Sequence, residues 1–142
     1  MAHSEIPAEK IAAYRGTGYR LGQGLGAITL RIDTRSEALL RLYASSGHNC
    51  GVFITAQNPL GEAQSAEAND ASHARLAAEL KALQIEAIEG AGADPGGAWP
   101  AEKSLFALGV DLDAARRLGV RYRQNAIVWV GEDVIPKLIL LR

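Results

Sequence analysis

"GVFITAQNPLGE", residues 51 to 62, changes character halfway. Val52, Phe53 and Ile54 form the continuous apolar run of a strand covered on at least one face, near the middle of a sheet. From Thr55 onward the chain turns polar, and Gln57, Asn58 and Pro59 are turn-forming or rigid residues. A buried strand therefore delivers a polar segment at its C-terminal end. The orientation of the neighbouring elements decides what meets that segment.

On the N-terminal side, "TRSEALLRLYASSG" (34–47) predicts a helix. Thr34 and Glu37 have capping-box spacing, Leu39, Leu40, Leu42 and Tyr43 supply apolar surface, and Gly47 suits the exit. Ahead of it, Ile28, Leu30 and Ile32 alternate with Thr29 and Arg31, the period of a strand. Gly22, Gly24 and Gly26 lead into that strand rather than into a helix, so a turn or bulged entry fits them better than a phosphate loop. Residues 7 to 14 predict a short helix with Pro7 in its first turn. The whole reads as one domain, 1–142, with 1–13 as an N-terminal extension or short helix.

On the C-terminal side, Ser65 to Leu83 predicts a longer helix with an apolar line of Leu76, Leu80 and Leu83. Extended backward, that line reaches His73 or Ser72 and then Asn69, so its buried stripe turns polar near the start. A short strand follows at 85–89, then a glycine-rich loop at 90–98 containing Asp94-Pro95, then a strand at 103–110. Asp111 caps a short helix ending at Gly119. Residues 124 to 142 close as a hairpin that turns near Gly131, Glu132 and Asp133.

This order predicts an α/β (α+β) two-layer sandwich. It has one mixed sheet of five to six strands with helices mainly on one face, a ferredoxin-like variant being one form of it. Strands joined by a helix run parallel, so those at 28–32, 50–56 and 85–89 should point one way and the next two the other. One edge then collects Asp33, Thr55, Glu89 and a candidate site for a small polar ligand, in a binding domain or an enzyme, made of Asn58, Asn69, Asp94, Trp99, Glu102, Ser104, Gln124 and Asn125. Ligands in α/β sheets favour such strand-end crevices. Trp99 would offer a stacking face, Glu102 and Ser104 polar contacts, Gln124 and Asn125 amides, and the glycine-rich loop a lid. The competing reading is that Asn58, Gln124 and Asn125 only satisfy loop backbone groups.

The formal net charge of -1 provides no global field toward nucleic acid or a membrane. Binding to nucleic acid is expected to be weak and lost by physiological salt. Arg116, Arg117, Arg121 and Arg123 around Tyr122 read first as cations at a helix C-terminus. Cys50 is the one cysteine, which excludes an internal disulfide and fits a reducing compartment. Glu5, Glu9 and Lys10 interrupt the N-terminus without an apolar run, so no signal peptide is read there, and no stretch is long enough to span a membrane. A cytoplasmic location is expected.

No Ser/His/Asp set is visible, because His3, His48 and His73 have no evident partners. Asp33, Glu89, Asp94 and Glu102 would suit Mg²⁺ in a metal-dependent nuclease or hydrolase, the second reading, but they are too scattered for a metal-ligand set to be assigned. A homodimer through an edge strand or the final hairpin is the third. The residues name no cofactor and no reaction, and leave open whether the chain is an enzyme. "FITAQNP" (53–59), "GAGADPGGAWPAEKS" (90–104) and "RQNAIVW" (123–129) resemble the signature blocks of a bacterial family, domain of unknown function family 3293, over about Tyr14 to Arg142. That resemblance implies no activity and no catalytic residues.

Overall fold

A computed structural model describes residues 4–22, 24–93 and 102–142. In chain order the elements are α1 (Ala8–Gly16), β1 (Gly18–Leu21), β2 (Ile28–Leu30), α2 (Glu37–Ser46), β3 (Gly51–Ile54), α3 (Ala66–Ala82), β4 (Ala87–Ala93), β5 (Glu102–Leu108), α4 (Leu112–Arg121), β6 (Ala126–Val130) and β7 (Lys137–Leu140). The fold is α+β, with these four helices and one seven-stranded sheet in the order β2-β1-β4-β5-β3-β6-β7.

Every neighbouring pair in the sheet is antiparallel. This corrects the expected mixed sheet of five to six strands. The strand directions nevertheless agree with the chain-order argument: β2, β3 and β4 point one way, β5 and β6 the other. What differs is adjacency. β5 sits between β3 and β4, with Phe53 opposite Phe106 and Phe106 opposite Ile88. The strands joined by α3 therefore run parallel without touching.

The sheet is covered on both faces, which corrects the expectation of helices mainly on one. Val52, Ile54, Leu105, Ala107 and Ile127 face Leu76 and Leu80 of α3 and Ala115 and Leu118 of α4. The alternate residues Phe53, Phe106, Leu108, Val128 and Val130 face Leu39 and Tyr43 of α2. β3 and the inner part of β5 are apolar on both faces because each face meets a helix. α4 comes very close to β6 and the C-terminal segment. A Cβ on Gly119 would stand 2.4 Å from Leu141 and 2.9 Å from Ile127.

β1 was not read from the sequence. It is four residues long, and Gly22 (φ 76°) and Gly24 (φ 69°) turn it back into β2. α2 is capped by Ser36, whose hydroxyl accepts from Leu39 N at 3.1 Å, rather than by Thr34. Gly47 closes α2 in the left-handed region, as its position suggested. β4 continues to Ala93, through residues expected to be loop.

Candidate functional site

The C-terminal ends of β2, β3 and β4 and the N-terminal ends of β1, β5 and β6 share one edge. Where that edge meets the α2-bearing face, the structure leaves a cavity of about 470 Å³. Its floor is Tyr19, Phe53, Val128 and Leu138, with the rings of Tyr19 and Phe53 edge to face at 5.2 Å. Gly92 and Ser104 keep the central strands low beneath it, and Glu9, Lys10, Ala13 and Tyr14 of α1 close it from above.

Asn58, Glu102, Ser104, Gln124 and Asn125 all line this cavity. Asn69 stands behind the wall. Its Nδ2 donates to Asn58 Oδ1 at 3.0 Å, and its Oδ1 accepts from Asn58 N at 2.9 Å. Asp94 and Trp99, and with them most of the proposed lid, lie outside the described residues.

The segment that β3 delivers is a left-handed turn. Asn58, Leu60 and Gly61 have φ values of 46°, 57° and 76°. Asn tolerates this region because its short polar side chain bonds locally. Here Asn58 Oδ1 also accepts from Gln64 N at 3.2 Å, while its Nδ2 donates to Glu102 Oε2 at 2.8 Å. The polar start of the α3 stripe thus braces the turn, and the turn positions Glu102.

Glu102 is withdrawn from water by the wall around it. Burial raises its carboxyl pKa above the ordinary value, and the Asn58 donor and the nearby positive charge of Lys10 lower it by less. Lys10 Nζ donates to Gly61 O at 2.9 Å. Among the described residues, neither Lys10 nor Glu102 takes part in an ion pair, although both line the cavity.

Other polar groups hold the wall together. Gln124 Nε2 donates to the carbonyls of Gln57 and Tyr122 at 3.2 and 3.1 Å. Asn125 Nδ2 donates to Tyr14 Oη at 3.0 Å, and its Oδ1 accepts from Arg142 Nη1 at 2.6 Å. Ser104 Oγ donates to Glu102 O at 3.1 Å, and Thr55 Oγ1 to Lys103 O at 2.7 Å.

Sequence reasoning did not assign Lys10, Tyr14, Tyr19 or Phe53 to the site. The signal for the first two was present: Lys10, Ala13, Tyr14 and Thr17 fall at i, i+3, i+4 and i+7, one face of a helix. That face carries too little apolar surface to read as core.

Of the scattered acids, Asp94 lies outside the described residues, and Asp33, Glu89 and Glu102 do not form a cluster. Asp33 pairs with Arg15 at 3.4 Å. Glu89 lies on the α3 face of β4, where His73 Nε2 approaches its Oε2 at 3.0 Å, so His73 does have a partner. Glu102 is on the opposite face. Among the described residues, no group of three or more His, Cys, Asp or Glu is placed to hold a metal ion. Of the arginines around Tyr122, Arg117 pairs with Asp113 at 2.5 Å and Arg121 with Glu79 at 2.9 Å. Tyr122 donates to the same Glu79 at 2.6 Å, and burial together with that carboxylate pushes its pKa up to about 12. Among the described residues, no helix is long and apolar enough to cross a membrane.

No curated protein and no solved structure matches the chain. One family model does, over residues 54–127, from the last residue of β3 to the second residue of β6. That span contains the braced turn, Glu102, Ser104, Gln124 and Asn125. It covers just over half of the chain, and the protein therefore belongs to the family described as Protein of unknown function (DUF3293).

Proposed function

We propose that the protein binds a small organic molecule in the cavity between α1 and the sheet, with Glu102 as the principal polar contact. The observation that carries this reading is the Glu102 carboxylate, held by Asn58 and partly desolvated, on the wall of a space of about 470 Å³. Ligand pockets run from roughly 300 to 1,000 Å³, mostly apolar with a few placed polar groups. Tyr19, Phe53, Val128 and Leu138 suit the apolar body of such a molecule, and Glu102 and Lys10 its polar end. In this reading Asn58, Asn69, Gln124 and Asn125 position the wall and do not contact the bound molecule.

We read the β3-α3-β4-β5-α4-β6 unit as a ferredoxin-like split βαβ core. In support, its four strands stand in the order β4-β5-β3-β6, with α3 and α4 on one face. On this view β1, β2, α1 and α2 are additions that roof the other face of the core, and the cavity is the part of the roof that does not close.

Gly92→Leu tests the site. A Cβ on Gly92 would meet Thr17, Tyr19 and Phe53 at 3.7–3.9 Å, ordinary contact distances, so the larger side chain enters the cavity without striking the backbone. A metabolite-sized compound library is screened by thermal shift against both proteins. Compounds that raise the wild-type melting temperature and leave Gly92→Leu unmoved are expected, since binding stabilises as RT ln(1 + [L]/Kd). Hits that act equally on both proteins would place binding elsewhere.

A further inference from the structure

We infer that the cavity selects a zwitterion, a small apolar-bodied molecule whose ammonium is received by Glu102 and whose carboxylate is received by Lys10. The inference rests on the binding-site reading above and adds the class of molecule. The cavity lining includes the Glu102 carboxylate and the Lys10 ammonium, which form no ion pair with each other, and the exposed Glu9 carboxylate. Glu102 is held by Asn58 on one side, and Lys10 is held by Gly61 O on the other. The left-handed turn at 58–61 supplies both anchors.

Opposite charges facing one low-dielectric space without contact are poorly matched to a singly charged molecule. A cation would satisfy Glu102 and be repelled by Lys10, an anion the reverse, and a neutral molecule would displace water from both without replacing its hydrogen bonds. A zwitterion gives each a charge-assisted partner. Glu9, exposed on α1 beside Lys10, adds negative charge at the mouth and favours entry of the ammonium end. The edge-to-face pair of Tyr19 and Phe53 supplies the apolar floor. A free amino acid and a dipeptide share this chemistry and differ in the distance between their charges.

Calorimetric titration distinguishes the cases. The probes are L-phenylalanine, L-leucyl-L-phenylalanine, phenylethylamine, which lacks the carboxylate, and N-acetyl-L-phenylalanine, which lacks the ammonium. One of the first two is expected to bind at least tenfold more tightly than either single-charge probe, and which of them does so identifies the source. Glu102→Gln should weaken that zwitterion at least tenfold and should not weaken N-acetyl-L-phenylalanine, an anion that the lost carboxylate repels. Lys10→Met should weaken it similarly and should not weaken phenylethylamine, a cation that the lost ammonium repels. A single-charge probe binding as tightly as both zwitterions overturns the inference while the cavity reading stands, provided that Gly92→Leu abolishes its binding. The same holds if none of the four binds but the library yields a hit sensitive to Gly92→Leu. If no compound of either set is sensitive to Gly92→Leu, both readings fall. The probe comparisons use the wild-type protein, so a variant that fails to fold does not remove the test.

Discussion

α1 and α2 cover the same face of the sheet, yet α2 buries Leu39 and Tyr43 in it while α1 has no buried residue of its own. The strands beneath α2 present Phe106, Leu108, Val128 and Val130, and the Tyr43 hydroxyl donates to Val130 O at 2.9 Å. The strand ends beneath α1 present Thr55, Gly92 and Ser104. α1 is held instead by the buried Ile6 before it and by polar contacts along it. The Tyr19 hydroxyl donates to Tyr14 O at 2.6 Å, and Asn125 and Gly61 engage Tyr14 and Lys10. One half of the face therefore carries stability, and the other half carries space. Apolar packing rewards filled volume, whereas a braced polar rim keeps volume open without collapse.

If that division is right, the largest loss comes from the sealed half. Leu39 is fully buried, and Leu39→Ala should cost about 2–5 kcal/mol in urea unfolding. A loss below about 1 kcal/mol would mean that the α2 half is as loose as the other. The two glycines of β4 sharpen the boundary. A Cβ on Gly90 would stand 2.2 Å from Arg20 O, so the carbonyl of β1 would have to move. Gly90→Ala should then cost about 1–3 kcal/mol as an overpacked site. Gly92, two residues on, opens into the cavity, and Gly92→Ala should be neutral or stabilising by up to about 1 kcal/mol, since glycine inside a strand is itself unfavourable. Equal effects at the two positions would erase the distinction.

The sequence made this division only half legible. Apolar runs at Val52–Ile54 and around Leu105–Leu108 announced buried strands, and their directions followed from the connections. The shared edge could therefore be found before any contact was known. Adjacency was not legible, because nothing local in Glu102–Leu108 says that it inserts between β3 and β4 rather than beside them. β1 was missed because Gly18–Leu21 is too short for period-two patterning, with glycines at its start and directly after its end. α1 lacked the apolar stripe that marks a packed helix, and its role depends on distant partners: Lys10 meets Gly61, 51 positions away, and Tyr14 meets Asn125, 111 positions away. The family match begins at Ile54, so it too leaves out the helix that roofs the site.

The braced turn is the next place to press. Asn58→Ala removes the acceptor used by Asn69 and Gln64 and the donor to Glu102, and it places a Cβ residue without compensating hydrogen bonds at φ 46°. The expected loss is about 1–3 kcal/mol, from partly buried groups left without partners. Asn69→Ala should show much of the same loss, and the double variant should cost less than the sum, because both remove one network. Strict additivity in chemical denaturation would mean that the turn and α3 are not coupled.

The smallest expected effect is the most specific to the site. Glu102→Gln keeps the shape of the side chain and an oxygen that can accept from Asn58, and it removes the charge. Burial holds the Glu102 carboxyl above its ordinary pKa, so folding favours the protonated acid. The linkage follows from that direction: the contribution of Glu102 to stability is full below the unfolded carboxylate range, near pH 4, and is lost as pH rises through the higher folded value. Gln cannot ionise and suffers no such loss. Unfolding curves of the two proteins should therefore nearly coincide at about pH 3.5 and separate by about pH 7.5, with Glu102→Gln the more stable. A residue kept at some cost to stability is what a site for a bound molecule predicts. If Glu102→Gln is instead less stable by roughly 1.5–3 kcal/mol at neutral pH, the carboxylate is there to hold the turn through a charged hydrogen bond. The open half of the face would then be a structural brace, and the contrast with α2 would be one of packing alone.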